Sequence, residues 1–227
     1  MRANALKYRQ DERRERLTKA ATRLIARSGP EGLRMKTLAD ELDLTAGALY
    51  RYFPSKAHLL AEVERTVVAE LADLLTQVAA AAGADPADKY AALVDAYWLI
   101  ASHDSPHFAV LAHFVAPLRP VLDDEIAKPV IPEVVRLFAV LGQVLAELSL
   151  SEPVKRAALL WSALHGILER RKLVRFGLAG LDIDSLYRET ATTISKGWHL
   201  SGDLLDRLAS APTSLRPRYL SLVEAMT

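Results

Sequence analysis

The 227-residue chain contains no cysteine, which excludes disulfides, thiolate-bound zinc, iron–sulfur clusters and a cysteine nucleophile together. It also lacks any uninterrupted apolar run near the ~20 residues a membrane-spanning helix needs, so no membrane partner is expected. The first residues, Met1-Arg2-Ala3-Asn4-Ala5-Leu6-Lys7, lack the apolar core of a secretory signal. These two absences lead to the expectation of a cytoplasmic protein. Strand signals are scarce as well: few stretches alternate apolar with polar residues, and no Asn-Gly or Asp-Gly hairpin turn occurs. Missing too are the Gly-x-Ser-x-Gly elbow, His-Glu-x-x-His, Gly-x-Gly-x-x-Gly and the phosphate loop Gly-x-x-x-x-Gly-Lys-Ser/Thr. The expectation is therefore a protein that is not an enzyme and needs no cofactor.

What the chain does contain is helical periodicity, with 51% hydrophobic and 25% charged residues to build and solubilise a core. Leu17, Ala20, Ala21, Leu24, Ile25 and Ser28 recur at three- and four-residue spacing, which predicts an amphipathic helix from about 11 to 27. Ser28-Gly29-Pro30 stops it. Further helices are predicted at 35–42, 46–53, 55–82, 86–102, 106–115, 131–148, 153–176, 184–209 and 213–226. Ser55 is the natural N-cap of the fourth. Pro106, Pro117, Pro120, Pro129 and Pro132 reduce 104–132 to short helices and connectors. The fold class is all-α.

Charge is polarised along the chain. Residues 1–56 hold 13 Lys/Arg against 7 Asp/Glu, whereas the remainder holds 16 against 21. A basic first quarter suits a polyanionic partner, although a solvated helix face would look the same. The informative stretch is Leu38 to Lys56. Leu38, Leu42, Leu44, Leu49 and Tyr52 supply the apolar set for two short helices packed at a steep angle, with Ala39 as the small residue at their crossing. Thr45 stands at the N-cap of the second helix. Gly47 and Ala48, near its start, let the backbone approach a surface closely.

From Arg14 to Leu60 the chain resembles the TetR-type transcriptional regulators. The resemblance rests on the helix Leu17–Arg27, Gly29-Pro30-Glu31-Gly32-Leu33, Thr37-Leu38-Ala39, Leu42-Asp43-Leu44-Thr45 and Leu49-Tyr50-Arg51-Tyr52-Phe53-Pro54-Ser55-Lys56, followed by Leu59-Leu60. Asp43 departs from the pattern by occupying the turn position normally filled by glycine. Asp is among the few other residues that tolerate a positive φ. The resemblance implies an N-terminal three-helix helix-turn-helix DNA-binding domain (1–56, with 1–10 as a flexible arm) and a C-terminal helical ligand-binding and dimerisation domain (57–227). It implies double-stranded operator DNA, a second copy of the chain and a small, largely apolar effector as partners, with the effector releasing a repressor from its operator.

On that reading Thr37, Thr45, Tyr50 and Lys56 contact phosphates, and Ala46, Gly47 and Ala48, with Arg51 and Lys36, face the bases. Core packing is the alternative for Tyr50 and the favoured reading for Tyr52 and Phe53. The expected effector-lining residues are Tyr97, Trp98, Phe108, Phe114, Trp161 and Leu164, with His103, His107, His113, His165 and Arg170 as polar groups; each can equally be core. His103, His107 and His113 invite a metal, but Pro106 interrupts the first pair and no carboxylate completes a set. Arg170-Arg171-Lys172 and Arg175 read as charges favoured at a helix C-terminus, or as a site for an acidic ligand group. Val154, Ala157, Ala158, Trp161, Leu164, His165 and Leu168 form a stripe that suits either a dimer seam or an internal core, as does the looser stripe of Tyr187, Ala191, Ile194, Trp198, Leu204 and Leu205. The alternative function is a helical small-molecule binder or enzyme with a vestigial helix-turn-helix.

Overall fold

The computed structural model describes residues 2–103, 105–115, 121–170, 182–200, 202–210 and 212–226. Among these no strand occurs. Twelve α-helices follow one another: α1 (Arg2–Gly32), α2 (Met35–Glu41), α3 (Ala46–Tyr50), α4 (Lys56–Ala82), α5 (Pro86–Ser102), α6 (Pro106–Val115), α7 (Asp124–Ala127), α8 (Ile131–Glu147), α9 (Pro153–Glu169), α10 (Ile183–Gly197), α11 (Gly202–Ala209) and α12 (Leu220–Glu224).

Local chemistry explains most of the boundaries. α1 is bent at Gly29, whose φ of 70° and ψ of 172° lie in a region open essentially to glycine alone. Asp85 caps α5 by accepting from the Ala87 N–H at 3.0 Å, and Pro86 fills its first position, where a missing N–H costs nothing. Three predicted boundaries differ. The backbone is helical from Arg2, so the segment 1–10, read as a flexible arm, is from Arg2 onward the first turns of α1. The stretch 184–209 is interrupted after Gly197 by a turn in which His199 adopts a φ of 60°. Near the C-terminus a 3-10 turn at Arg216–Arg218 and the short α12 replace one continuous helix. The expected end of the ninth helix, with Arg171, Lys172 and Arg175, lies outside the described residues, as do Pro117 and Pro120.

The chain forms two compact units, one of residues 1–70 and 106–134, the other of 71–105 and 135–227. The first unit runs past residue 56, where α4 begins, to residue 70 within that helix, and it also takes in 106–134. In the first unit Leu17, Ile25, Leu38, Leu49, Phe53 and Leu59 are fully buried, and α6 packs against α1. Each such leucine withdraws apolar surface worth about 1.5–3 kcal/mol from water. In the second unit α10 packs on α9 and α11, and α5 is covered by α11 and α12.

Three buried tyrosines knit this second unit together by polar tips. Tyr187 donates to the Val94 carbonyl at 2.7 Å, Tyr90 pairs with the Ser195 hydroxyl at 2.9 Å, and Tyr219 donates to Asp95 at 2.9 Å. Asp95 is only 1% exposed. It accepts the fork of Arg216 at 2.8 and 2.7 Å and has Arg188 at 3.6 Å, so a deeply buried carboxylate is met by two guanidinium groups and a phenol.

Candidate functional site

In the first unit, α2, the turn after it and α3 present the basic N-terminal segment. The turn requires a left-handed residue, and Asp43 adopts it with φ of 53°; the Leu44 N–H closes the turn on the Ala39 carbonyl at 2.9 Å. Thr45 has extended backbone, and its hydroxyl oxygen accepts from the Ala48 N–H at 3.2 Å. That N-cap starts α3 and leaves the hydroxyl proton available to an outside acceptor. Lys36, Thr37, Thr45, Ala46, Gly47 and Arg51 are exposed, and Ala48 is half-buried. A Cβ placed on Gly47 would meet nothing within 4 Å, so this face is open to a close-fitting partner. Tyr50 is 48% exposed, whereas Phe53 is fully buried. Lys56, at the start of α4, lies 3.5 Å from the Glu31 carbonyl.

The α2–α3 segment is braced by neighbouring helices. Arg14 of α1 lies over the Phe53 ring at 4.8 Å and approaches Glu62 of α4 at 3.5 Å. Glu62 is also gripped by Arg65, which reaches Glu133 at 3.7 Å. Burial opposes ionisation of Glu62, but Arg65 and Arg14 together hold its carboxyl below the ordinary range. Two residues on, Glu64 has burial alone acting on it, and its carboxyl is pushed up to about 7.

The second unit holds a narrow apolar cavity of about 40 Å³. Its walls come from four helices: Leu71 and Leu75 of α4, Leu93, Val94 and Tyr97 of α5, Leu137, Phe138 and Leu141 of α8, and Leu160, Trp161 and Leu164 of α9. Of the residues expected to meet an effector, Tyr97, Trp161 and Leu164 line it, and His165 joins them through its Nδ1, 2.7 Å from the Tyr97 hydroxyl. The others lie elsewhere. Trp98 packs on the Tyr187 ring at 5.2 Å, and the His103 Nδ1 bonds the Leu99 carbonyl of its own helix at 2.8 Å. His107, Phe108 and Phe114 belong to the first unit, where His107 pairs with Glu70 at 2.7 Å. There the His113 ring also sits against Gly29. Arg170 folds back onto the Gly166 carbonyl at 3.0 Å. Sequence reasoning missed the other leucines, Val94 and Phe138, because nothing in an apolar helical stripe separates a cavity wall from a filled core.

Comparison with known proteins agrees with this geometry. Residues 17–63 match the model of the bacterial regulatory proteins of the tetR family. Over 77 residues the chain is 40% identical to the HTH-type transcriptional repressor KstR of Mycobacterium tuberculosis, a stretch covering 34% of each chain. The chain thus spans about a third of the length of the curated relatives it matches. Similarity of fold is far wider. A transcriptional regulator from Rhodococcus sp. RHA1 superposes with a TM-score of 0.64 at 25% identity, covering 83% of this chain and 98% of that one. A TetR family protein from Vibrio parahaemolyticus gives 0.59 at 26% identity, covering 82% and 96%. Residues 17–63 thus carry the segment typical of the tetR family, and the fold is that of TetR-type regulators.

Proposed function

We propose that the protein is a transcriptional repressor that binds operator DNA as a homodimer and is released by a small, largely apolar effector held in the cavity of the second unit. Residues 1–56 form the DNA-binding part, and 57–227 the effector and dimerisation part. The observation that carries this reading is the open, capped face of α3: exposed Thr45, Ala46 and Gly47, with half-buried Ala48, within the segment 17–63 that matches the tetR-family model. Thr37, Thr45, Tyr50 and Lys56 position the duplex through phosphates. Ala46, Gly47 and Ala48 approach base edges, where small side chains favour thymine methyl groups and DNA shape, and Lys36 and Arg51 flank them.

Two copies place their α3 helices one DNA turn apart, ~34–36 Å. The exposed Val154 and Leu159 of α9 supply apolar surface for the second copy. α4 is the lever, since one helix carries Lys56 at its start and Leu71 and Leu75 in the cavity wall. An effector acts only through its different affinity for the two conformers, and ~1–3 kcal/mol of coupling gives a 5- to 150-fold change.

Fluorescence anisotropy of the protein on the DNA flanking its own gene, against a scrambled duplex at two salt concentrations, tests the reading. Tight, salt-sensitive preference for the native fragment is expected. Lys56→Ala lowers the log–log salt slope by about one, and Gly47→Leu abolishes preference while leaving the fold helical. Equal, weak binding to both duplexes refutes it.

A further inference from the structure

α1 begins well before it has anything to pack against. Its helical backbone starts at Arg2, yet among the described side chains Leu17 is the first to be buried, and Tyr8 and residues 10–16 are all exposed. We infer that this overhanging segment is a second DNA contact, in which Arg13 and Arg16, with Arg2 and Arg9 at the same face, hold the phosphate backbone beside the tract met by α3. The inference rests on the proposed role of α3 in binding operator DNA.

Charge pattern points to a polyanion. With 3.6 residues per turn, positions 2, 9, 13 and 16 fall within about 60° of one another, and all four are arginine. Such spacings set like charges side by side, which disfavours an isolated helix. Asp11 and Glu15 fall on the other side, where Glu15 holds Lys19 at 2.6 Å, and Glu12 alone of the three acids borders the stripe. Arg14 and Arg23 are engaged too, with Glu62 at 3.5 Å and Glu41 at 3.7 Å. Arg13 and Arg16, by contrast, are exposed and form no ion pair among the described residues. A face of like charge with no packing beneath it needs counter-charge from outside.

Position selects the polyanion. The Arg14 guanidinium lies 4.8 Å over the Phe53 ring, and Phe53 stands midway in sequence between Tyr50 and Lys56, two of the proposed phosphate contacts. α1 therefore leaves the body of the unit beside the DNA strand that those residues hold. The arginine stripe runs on into Leu17 and Ala20, which are 2% and 0% exposed. It thus lies on the side of α1 that faces the unit. From position 14 back to position 2 the helix measures ~18 Å at ~1.5 Å per residue. Phosphates follow one another every ~3.4 Å of axis along a strand, so the segment is long enough to accompany about five of them. Guanidinium groups suit the task, because their planar fork matches phosphate oxygens. Contacts of this kind add affinity and salt dependence without reading sequence.

Anisotropy titrations of the full chain on two labelled duplexes, the DNA flanking its own gene and a scrambled duplex of equal length, between about 50 and 200 mM salt test the inference. Arg13→Gln/Arg16→Gln should lower the log–log salt slope by about two per bound chain, at ~0.9 per phosphate contact. It should weaken both duplexes alike, keeping the preference between them within about twofold. Arg13→Lys/Arg16→Lys should keep the slope, because a point charge still meets a phosphate. Lys128→Gln/Lys196→Gln, which removes the same charge outside α1, should change the slope by less than about 0.5, since distant exposed charges are screened. A slope unchanged by Arg13→Gln/Arg16→Gln, or lowered as much by Lys128→Gln/Lys196→Gln, overturns the inference, and so does failure of the lysine variant to keep it. Those results, with the preference of the unaltered protein for the native fragment intact, spare the reading of α3. An unaltered protein that binds both duplexes equally removes that reading, and this inference with it.

Discussion

Replacing Asp95 by asparagine keeps the side-chain shape and removes the charge, and the surroundings of Asp95 fix the cost. The carboxylate receives three hydrogen bonds from Arg216 and Tyr219 and faces Arg188, which is itself 8% exposed. In Asp95→Asn, one oxygen becomes an NH2 group directed among donors, and Arg188 keeps only Asp184, at 2.9 Å, as counter-charge. Breaking a buried ion pair by neutralising one member costs about 3–5 kcal/mol. The lower half of that range applies, because Arg216 is partly exposed and recovers hydration. At roughly 2–4 °C per kcal/mol for a chain of this size, the melting temperature should fall by about 6–16 °C. Urea unfolding followed by circular dichroism gives the free energy, and the loss should appear in the transition of the second unit, to which Asp95, Arg188, Arg216 and Tyr219 all belong. Arg216→Ala should cost less, and the double variant should lose about 1 kcal/mol or more less than the sum of the two, as expected for groups in direct contact. The C-terminal residues 212–226 should also become susceptible to proteolysis, since Arg216 and Tyr219 tie them to α5. A loss below 1 kcal/mol, or strict additivity, refutes the view that Asp95 organises this unit.

Three further predictions concern the first unit. Burial raises the Glu64 carboxyl from 4.5 to about 7, so the folded state holds the extra proton and Glu64 makes stability fall as pH rises from about 4.5 to 7. Glu64→Gln should flatten that slope and stabilise the protein at pH 8 by about 1–3 kcal/mol, and an unchanged pH profile in urea titrations would refute it. Asp43, at φ of 53°, should tolerate glycine with a gain of up to ~1 kcal/mol and tighter DNA binding from the lost negative charge, whereas Asp43→Val should cost ~1–2 kcal/mol; equal melting temperatures for the two variants would contradict a left-handed turn. Gly29→Ala should cost ~1–3 kcal/mol, because its backbone is open essentially to glycine and the new methyl would stand 3.4 Å from the His113 ring; a change under 0.5 kcal/mol in thermal unfolding would remove that strain.

The features legible in the sequence are those whose causes lie within a few residues. A 3.6-residue period marked the helices, Asp85-Pro86 began α5, and Ser28-Gly29-Pro30, read as a stop, is where Gly29 breaks the helical dihedrals of α1. The departure at Asp43 pointed to a left-handed turn, and Thr45 with Gly47 pointed to the start of α3. Each is a local matter of backbone dihedral, capping or period, which the chain carries wherever it folds. The cavity, the Asp95 cluster and the division into units have no local cause. Leu71, Leu93, Leu137 and Leu160 lie on four helices and form one wall only after those helices pack, and Asp95 meets Arg216 across 121 residues of chain. Among the aromatic and histidine candidates the same period fitted all, yet tertiary packing placed Tyr97, Trp161 and His165 together and put His107, Phe108 and Phe114 in the other unit. Periodicity tells which face of a helix is buried; what that face is buried against is decided by the packing of distant segments.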